Sequence, residues 1–298
     1  MLPPFLQTRD EVRIVSPSSA IDNALIDNAK HILSAWGLHV SEGEFAREQF
    51  GRFAGTPQQR IYDLQNALDD PNVRAIICSR GGYGLMQIID CIDFERFERN
   101  PKWLVGFSDI TVLHNAISHL HIATIHSGMA QMLCEQLQTE QPIAMLKNIL
   151  FGNIPDYIIE NQQLNHTGNT DGKIIGGNLS VLFGLRGTPF DLNFENKILL
   201  IEDIGEKPHH IDRMLQNLRI SGVFASLSGL LVGQFTDCEE DTQMRRSIYE
   251  MIAHCTRNCD YPVCFNFPAG HTDCNLPLIL GANCNLKVNE KNAILKYW

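Results

Sequence analysis

The sequence predicts an α/β fold: a parallel sheet with helices on both faces, followed by a mixed, mostly β domain. Three observations carry that expectation. The first half alternates short apolar strands with segments of helical periodicity, and such alternation implies a parallel sheet covered on both sides. Residues 151–172 are polar and lack apolar periodicity, so they read as a linker between domains over 1–150 and 173–298. Beyond them the alternation gives way to mixed elements that close on strand-like segments.

Taken in order, Val12, Ile14 and Val15 make a first strand that ends in Ser16-Pro17-Ser18-Ser19, residues suited to turns and helix caps. A helix carrying Leu25, Ile26, Ala29 and Leu33 runs to Gly37. Thr56-Pro57 opens the next helix, a cap followed by proline at the first helical position, with Ile61, Leu64 and Leu68 on one face. Val73 to Cys78 is a second buried strand, followed by Arg80-Gly81-Gly82-Tyr83-Gly84. Trp103 to Phe107 is a third strand and Ile122 to Ile125 a fourth. In the second domain, strands are expected over 197–201, 229–233, 263–267, 278–280 and 292–297, with helices over 209–218 and 241–255.

Bulk properties exclude several classes. The 298 residues suffice for one large or two medium domains with proper cores. A formal net charge of −10 opposes nucleic-acid binding through the surface, which needs a basic footprint. The N-terminus carries Arg9, Asp10, Glu11 and Arg13 without a long apolar run, so no signal peptide is expected. No stretch approaches the ~18 apolar residues that a membrane helix needs. The expectation is a cytoplasmic protein. Of the nine cysteines, Cys255, Cys259, Cys264, Cys274 and Cys284 crowd the end of the chain near His254 and His271. No CxxC pair occurs and the spacings match no zinc pattern, so free thiols packed as small hydrophobes are expected, with no metal.

Chemistry concentrates after the third strand. In Leu104-Val105-Gly106-Phe107-Ser108-Asp109-Ile110-Thr111 an apolar strand stops at glycine. Ile110, Leu113, Ile117 and Leu120 then fall at helical spacing. Ser108 therefore stands on a turn between strand and helix, where a nucleophile's hydroxyl would be presented at a helix N-terminus. Alternatively, Ser108 or Asp109 simply caps that helix. A nucleophilic serine requires an imidazole held in one tautomer by a carboxylate. Glu202 and Asp203 end an apolar strand, and His271 lies in the turn Pro268-Ala269-Gly270-His271-Thr272. A solvated strand end and an ordinary turn histidine are the competing readings. The glycine loop at 81–84 matches neither a dinucleotide fingerprint nor a P-loop. It could cradle a phosphate, or offer a backbone N–H to an oxyanion with the N–H of Asp109 as second donor.

These blocks, with Gly176-Gly177-Asn178 and Ile201-Glu202-Asp203, resemble in order and spacing the signature segments of the LD-carboxypeptidases. That serine peptidase family includes muramoyltetrapeptide carboxypeptidases and microcin C self-immunity proteins. The resemblance implies a Rossmann-like N-terminal domain and a mostly β C-terminal domain, without cofactor or metal, commonly as a homodimer. It implies Ser108 as nucleophile, His271 as base, Glu202 as its orienting acid, and the backbone N–H groups of Gly82 and Asp109 as the oxyanion hole. The implied reaction releases terminal D-alanine from a small peptide, the murein tetrapeptide. Arg80 and Arg186 are candidates to bind a product carboxylate, with Arg80 alternatively tying down its own glycine loop, and Asn178, Ser127 and Glu206 are candidate substrate contacts. Two other readings stand beside it: a peptidase that detoxifies a peptidyl-nucleotide, and a Rossmann-like small-molecule binding module without catalysis.

Overall fold

The computed structural model describes residues 1–133, 140–239 and 241–298. They form two compact units, Met1–Ile154 with Asp273–Ile279, and Pro155–Thr272 with Leu280–Trp298.

The first unit holds β1 (Glu11–Val15), β2 (His39–Glu42), β3 (Val73–Cys78), β4 (Trp103–Gly106) and β5 (Thr124–His126). The pairs β1–β2, β1–β3, β3–β4 and β4–β5 are all parallel. Flanking helices are α1 (Asn23–Ala35), α2 (Pro57–Asp69), α3 (Glu95–Arg99), α4 (Thr111–Ser118) and α5 (Glu140–Leu150). Every residue of β4 is buried, as an internal parallel strand covered on both faces requires. The spatial order β5-β4-β3-β1-β2 reverses direction between β1 and β3. Ligands of open α/β sheets bind outside the carboxyl ends of the strands at such a switch point. The loops after β1 and β3 leave the sheet there, and the loop after β4 is their neighbour.

Local signals explain the helix starts. Thr56 and Gln59 form a reciprocal capping box, with Pro57 inside the first turn of α2. Asp22, rather than the serines after β1, caps α1. Those serines are used elsewhere.

The second unit contains β6 (Tyr157–Glu160), β7 (Gly168–Asn178), β8 (Ile198–Ile204), β9 (Gly229–Thr236) and β10 (Val263–Cys264). After β11 (Leu278–Leu280), the chain adds β12 (Asn283–Val288) and β13 (Asn292–Tyr297). The sheet order is β10-β9-β8-β7-β12-β13-β6. Strands β7 to β10 pair in parallel, whereas β12, β13 and β6 pair antiparallel. The helices are α6 (Leu179–Leu185), α7 (Pro208–Ile220), α8 (Val223–Ser226) and α9 (Ile248–Thr256). Leu199, Ile201, Leu230 and Val232 of the sheet share one core with Ile211, Leu215 and Leu218 of α7 and Ile252 of α9.

The sequence-derived outline needs four corrections. The expected linker over 151–172 contains β6 and the start of β7. Asn169, Thr170 and Asp171 show no apolar pattern because they belong to a half-exposed ladder with β12. Asn285 Nδ2 also bonds across it to Asn169 Oδ1 at 3.0 Å and Asp171 Oδ1 at 2.8 Å. Strand 278–280 joins the first sheet beside β5, not the second. The helix expected over 241–255 begins only after Ser247, which forms a capping box with Glu250, and 242–244 is a separate 3₁₀ turn. The short, partly exposed β2 carries too little apolar signal to be read.

Candidate active site

The elbow after β4 is built by close packing. Ser108 has φ +64°, the left-handed region, which costs a non-glycine residue of order 1 kcal/mol or more and recurs at functional turns. The turn is tight enough that a Cβ on Gly106 would lie 2.8 Å from two carbons of the Ile110 side chain. Neither the 3₁₀ turn over 108–110 nor α4 carries a side-chain cap. The N-cap positions fall on Phe107 and Ile110 instead of Ser108 or Asp109. His114 is buried below the elbow, where Nε2 donates to Gly106 O at 2.9 Å and Nδ1 accepts from Thr124 Oγ1 at 2.8 Å. Burial pushes its imidazole down to about 4, so it is a neutral strut.

The glycine loop lies against this elbow. A Cβ on Gly81 would come within 3.0 Å of Ser108 Cβ, 3.2 Å of its Oγ and 3.3 Å of Asp109 N. A side chain at 81 would thus crowd both the hydroxyl and a neighbouring amide. Gly82 is exposed at φ +91°, and a Cβ there would strike Ser19 Oγ at 2.4 Å.

Ser18 and Ser19 act here instead of at α1. Ser18 Oγ donates to Asp109 Oδ2 at 2.7 Å, and Ser19 Oγ accepts from Tyr83 N at 3.2 Å. Asp109 is buried, and its carboxylate also accepts from Leu85 N at 3.0 Å. Burial raises its carboxyl, opposed by those two bonds and by the charges of Arg60 and Arg52. Arg60 is buried and donates Nη1 to both Pro17 O and Gly84 O at 2.9 Å, tying the loop after β1 to the glycine loop. Sequence reasoning missed Arg60. Its signal was a charged residue in phase with the buried Leu64, Ala67 and Leu68 of α2.

In the second unit, β8 delivers Glu202 fully buried. Its Oε2 lies 2.8 Å from His271 Nδ1. An ionised carboxylate only accepts, so Nδ1 carries the proton and Nε2 is the basic nitrogen. The β8–β9 register slips between Ile201 and Asp203, where Val232 and then Phe235 are the partners, so β9 carries an extra residue opposite Glu202. Bulges of this type re-aim side chains beside active sites. Gly233, within the bulge, lets the histidine turn settle, since a Cβ there would meet Ala269 O at 2.4 Å. Gln234 N then holds Ala269 O at 2.9 Å. Gly270, at φ +128°, brings the turn so close that a Cβ would lie 3.0 Å from Glu202 Oε2.

The adjacent carboxylates have separate jobs. Asp203 accepts from Asn178 Nδ2 at 3.0 Å, Ser180 N at 2.9 Å and Ile204 N at 2.9 Å, bracing the start of α6. Asn178 caps α6, its Oδ1 accepting from Val181 N. Burial first, then the charge of Glu202, pushes Asp203 up to about 6. Such a group binds its proton more tightly in the folded chain, so its stabilising contribution is complete below the ordinary value and lost as pH rises through about 6. The difference in thermal midpoint between the parent and Asp203→Asn should therefore fall steadily from pH 4 to pH 7. A difference that does not change with pH would contradict this.

The other anticipated contacts are engaged locally. Arg80 is exposed and donates to Ala20 O at 2.9 Å. Arg186 pairs with Asp191 at 3.2 Å and lies over Phe194. Ser127 N donates to Gly106 O, and Glu206 accepts from His210 at 3.1 Å. Among the described residues no cluster of three or more metal-ligating side chains occurs, and no helix is long and apolar enough to cross a membrane.

An elbow serine beside a glycine loop, and an imidazole steadied by a buried acid, are the working parts of a serine hydrolase. Residues 12–127 match the LD-carboxypeptidase N-terminal domain, and residues 171–286 match the LD-carboxypeptidase C-terminal domain. The chain belongs to the LD-carboxypeptidase family. A Bacillus subtilis protein named as a probable murein peptide carboxypeptidase is 32% identical over 304 residues, covering 99% of this chain and 94% of the relative. The murein tetrapeptide carboxypeptidase of Pseudomonas aeruginosa is 31% identical over 271 residues, covering 87% of each. The crystal structure of a muramoyltetrapeptide carboxypeptidase from Oxalobacter formigenes shares the fold at a TM-score of 0.88, with 23% identity over 96% of this chain and 98% of that one.

Proposed function

We propose that this chain is a serine LD-carboxypeptidase that hydrolyses the L,D amide bond of murein tetrapeptide and releases its terminal D-alanine. The observation that carries the reading is the buried Glu202–His271 hydrogen bond of 2.8 Å. It sits in a family member two of whose relatives above 30% identity are named for murein peptides.

In this reading Ser108 Oγ attacks the carbonyl on the L-configured centre while His271 Nε2 takes its proton. The backbone N–H groups of Gly82 and Asp109 hold the oxyanion, at roughly 3 kcal/mol per donor. Glu202 stabilises the imidazolium. His271 then protonates the departing amine, and water releases the acyl-enzyme. Arg60, Ser18 and Asp109 brace the loops that carry the two donors. The reading also makes the protein a cytoplasmic homodimer engaged in peptidoglycan recycling.

Incubation with L-alanyl-D-glutamyl-meso-diaminopimelyl-D-alanine should yield free D-alanine and the tripeptide, resolved by chromatography. Release from a peptidyl-nucleotide but not from the tetrapeptide would leave the serine chemistry standing and overturn the substrate. Release from neither would favour a binding module.

A further inference from the structure

The chain carries a net charge of −10, yet two guanidinium groups gather at the outer end of the glycine loop. Arg52 is exposed, and its Cζ lies 5.8 Å from the centroid of the exposed Tyr83 ring. Its carbonyl accepts from Ala20 N at 2.9 Å. Arg80, also exposed, donates Nη1 to the carbonyl of that same Ala20 at 2.9 Å. Ala20 is thus bonded to both arginine residues.

This framework is continuous with the elbow. Tyr83 N bonds Ser19 Oγ, Ser19 N bonds Gly81 O, and Gly81 packs on Ser108. Among the described residues neither arginine lies within 4.0 Å of a carboxylate. The Arg52 charge nonetheless reaches Asp109, the residue after the elbow serine.

Surface arginines are usually just solvated. Here, however, one is held at a carbonyl and the other on an aromatic face, which pre-orders both forks at little further entropy cost. Among the described residues, no carboxylate takes up their remaining donors. An enzyme that removes a single terminal residue must recognise a carboxylate about one residue's length, ~3.5 Å, beyond the scissile bond. A receptor for that group has to stand on a loop adjoining the nucleophile, and in this unit the glycine loop does.

We propose that Arg52, with Arg80 beside it, binds the free carboxylate at the end of the substrate peptide. This rests on the carboxypeptidase reading and adds the group that restricts cleavage to the chain terminus. Arg52 is held in place by Tyr83, and Arg80 supplies the second positive charge. Charge-assisted bonds of this kind give discrimination of about 10- to 100-fold.

The test compares murein tetrapeptide with its C-terminal carboxamide, as binding to Ser108→Ala by calorimetry and as turnover by the unmodified enzyme. The carboxylate form should bind about 10- to 100-fold more tightly. Adding Arg52→Gln should collapse that preference toward unity while leaving carboxamide binding within about twofold, and Arg52→Lys should restore part of it. Equal affinity of the parent for acid and amide would overturn the proposal, as would an Arg52→Gln variant that weakens both ligands equally. Hydrolysis of both ligands at the same rate would defeat this assignment alone. Absence of both binding and hydrolysis would overturn the substrate reading with it.

Discussion

Ser108→Ala is expected to lower kcat/KM for D-alanine release by about 10⁴- to 10⁶-fold, the scale seen when a serine nucleophile is removed. The hydroxyl is the only group the variant loses. Alanine at φ +64° carries the same backbone strain as serine, so the fold should persist, with a thermal midpoint within about 3 °C of the parent. The measurement is D-alanine release under saturating and limiting substrate, beside a thermal melt. Turnover within tenfold of the parent in a folded variant would remove Ser108 from the chemistry. Elimination of activity together with unfolding would not test the role, so the melt decides whether the comparison counts.

Glu202→Gln should reduce kcat by about 10⁴-fold with little change in KM, because the substitution attacks the tautomer and not the binding surface. The carboxylate is fully buried and accepts from His271 Nδ1. A glutamine amide can turn its own N–H toward that nitrogen, which places the ring proton on Nε2, where a lone pair is needed. The basic nitrogen is then occupied and the developing imidazolium has no counter-charge. Phosphonylation of Ser108 by a fluorophosphonate, in which Oγ bonds phosphorus and fluoride leaves, should slow in parallel when followed by mass spectrometry. A variant that is phosphonylated at the parental rate would show that Glu202 only packs the strand end.

Much of this arrangement was legible in the residues, for identifiable reasons. Parallel strands buried on both faces, such as Val73–Cys78 and Trp103–Gly106, appear as continuous apolar runs. Gly106, Ser108 and Ile110 announced a turn between a strand and a helix. The choice between Glu202 and Asp203 was not legible, because neighbours on a strand point to opposite faces and the sequence does not say which face the histidine turn covers. Glu202 is the one that meets His271, opposite the extra residue that β9 carries at Gly233. The serines after β1 looked like helix caps, yet they brace Asp109 and Tyr83 far along the chain. Local propensity cannot see such partners. The polar start of β7 was hidden because its order comes from ladder bonds and an asparagine bridge, with little apolar burial to mark it.

The three residues of β11 carry a consequence for biosynthesis. They occupy the border of the first sheet next to β5, although they are encoded more than a hundred positions after the rest of that sheet. Throughout translation the flank of β5 stays unpaired until the ribosome has nearly finished, and an unpaired flank invites adhesion to other chains. A gene fragment cut after position 154 would therefore yield a sticky product lacking its last strand, and the two halves cannot be separated by one scission.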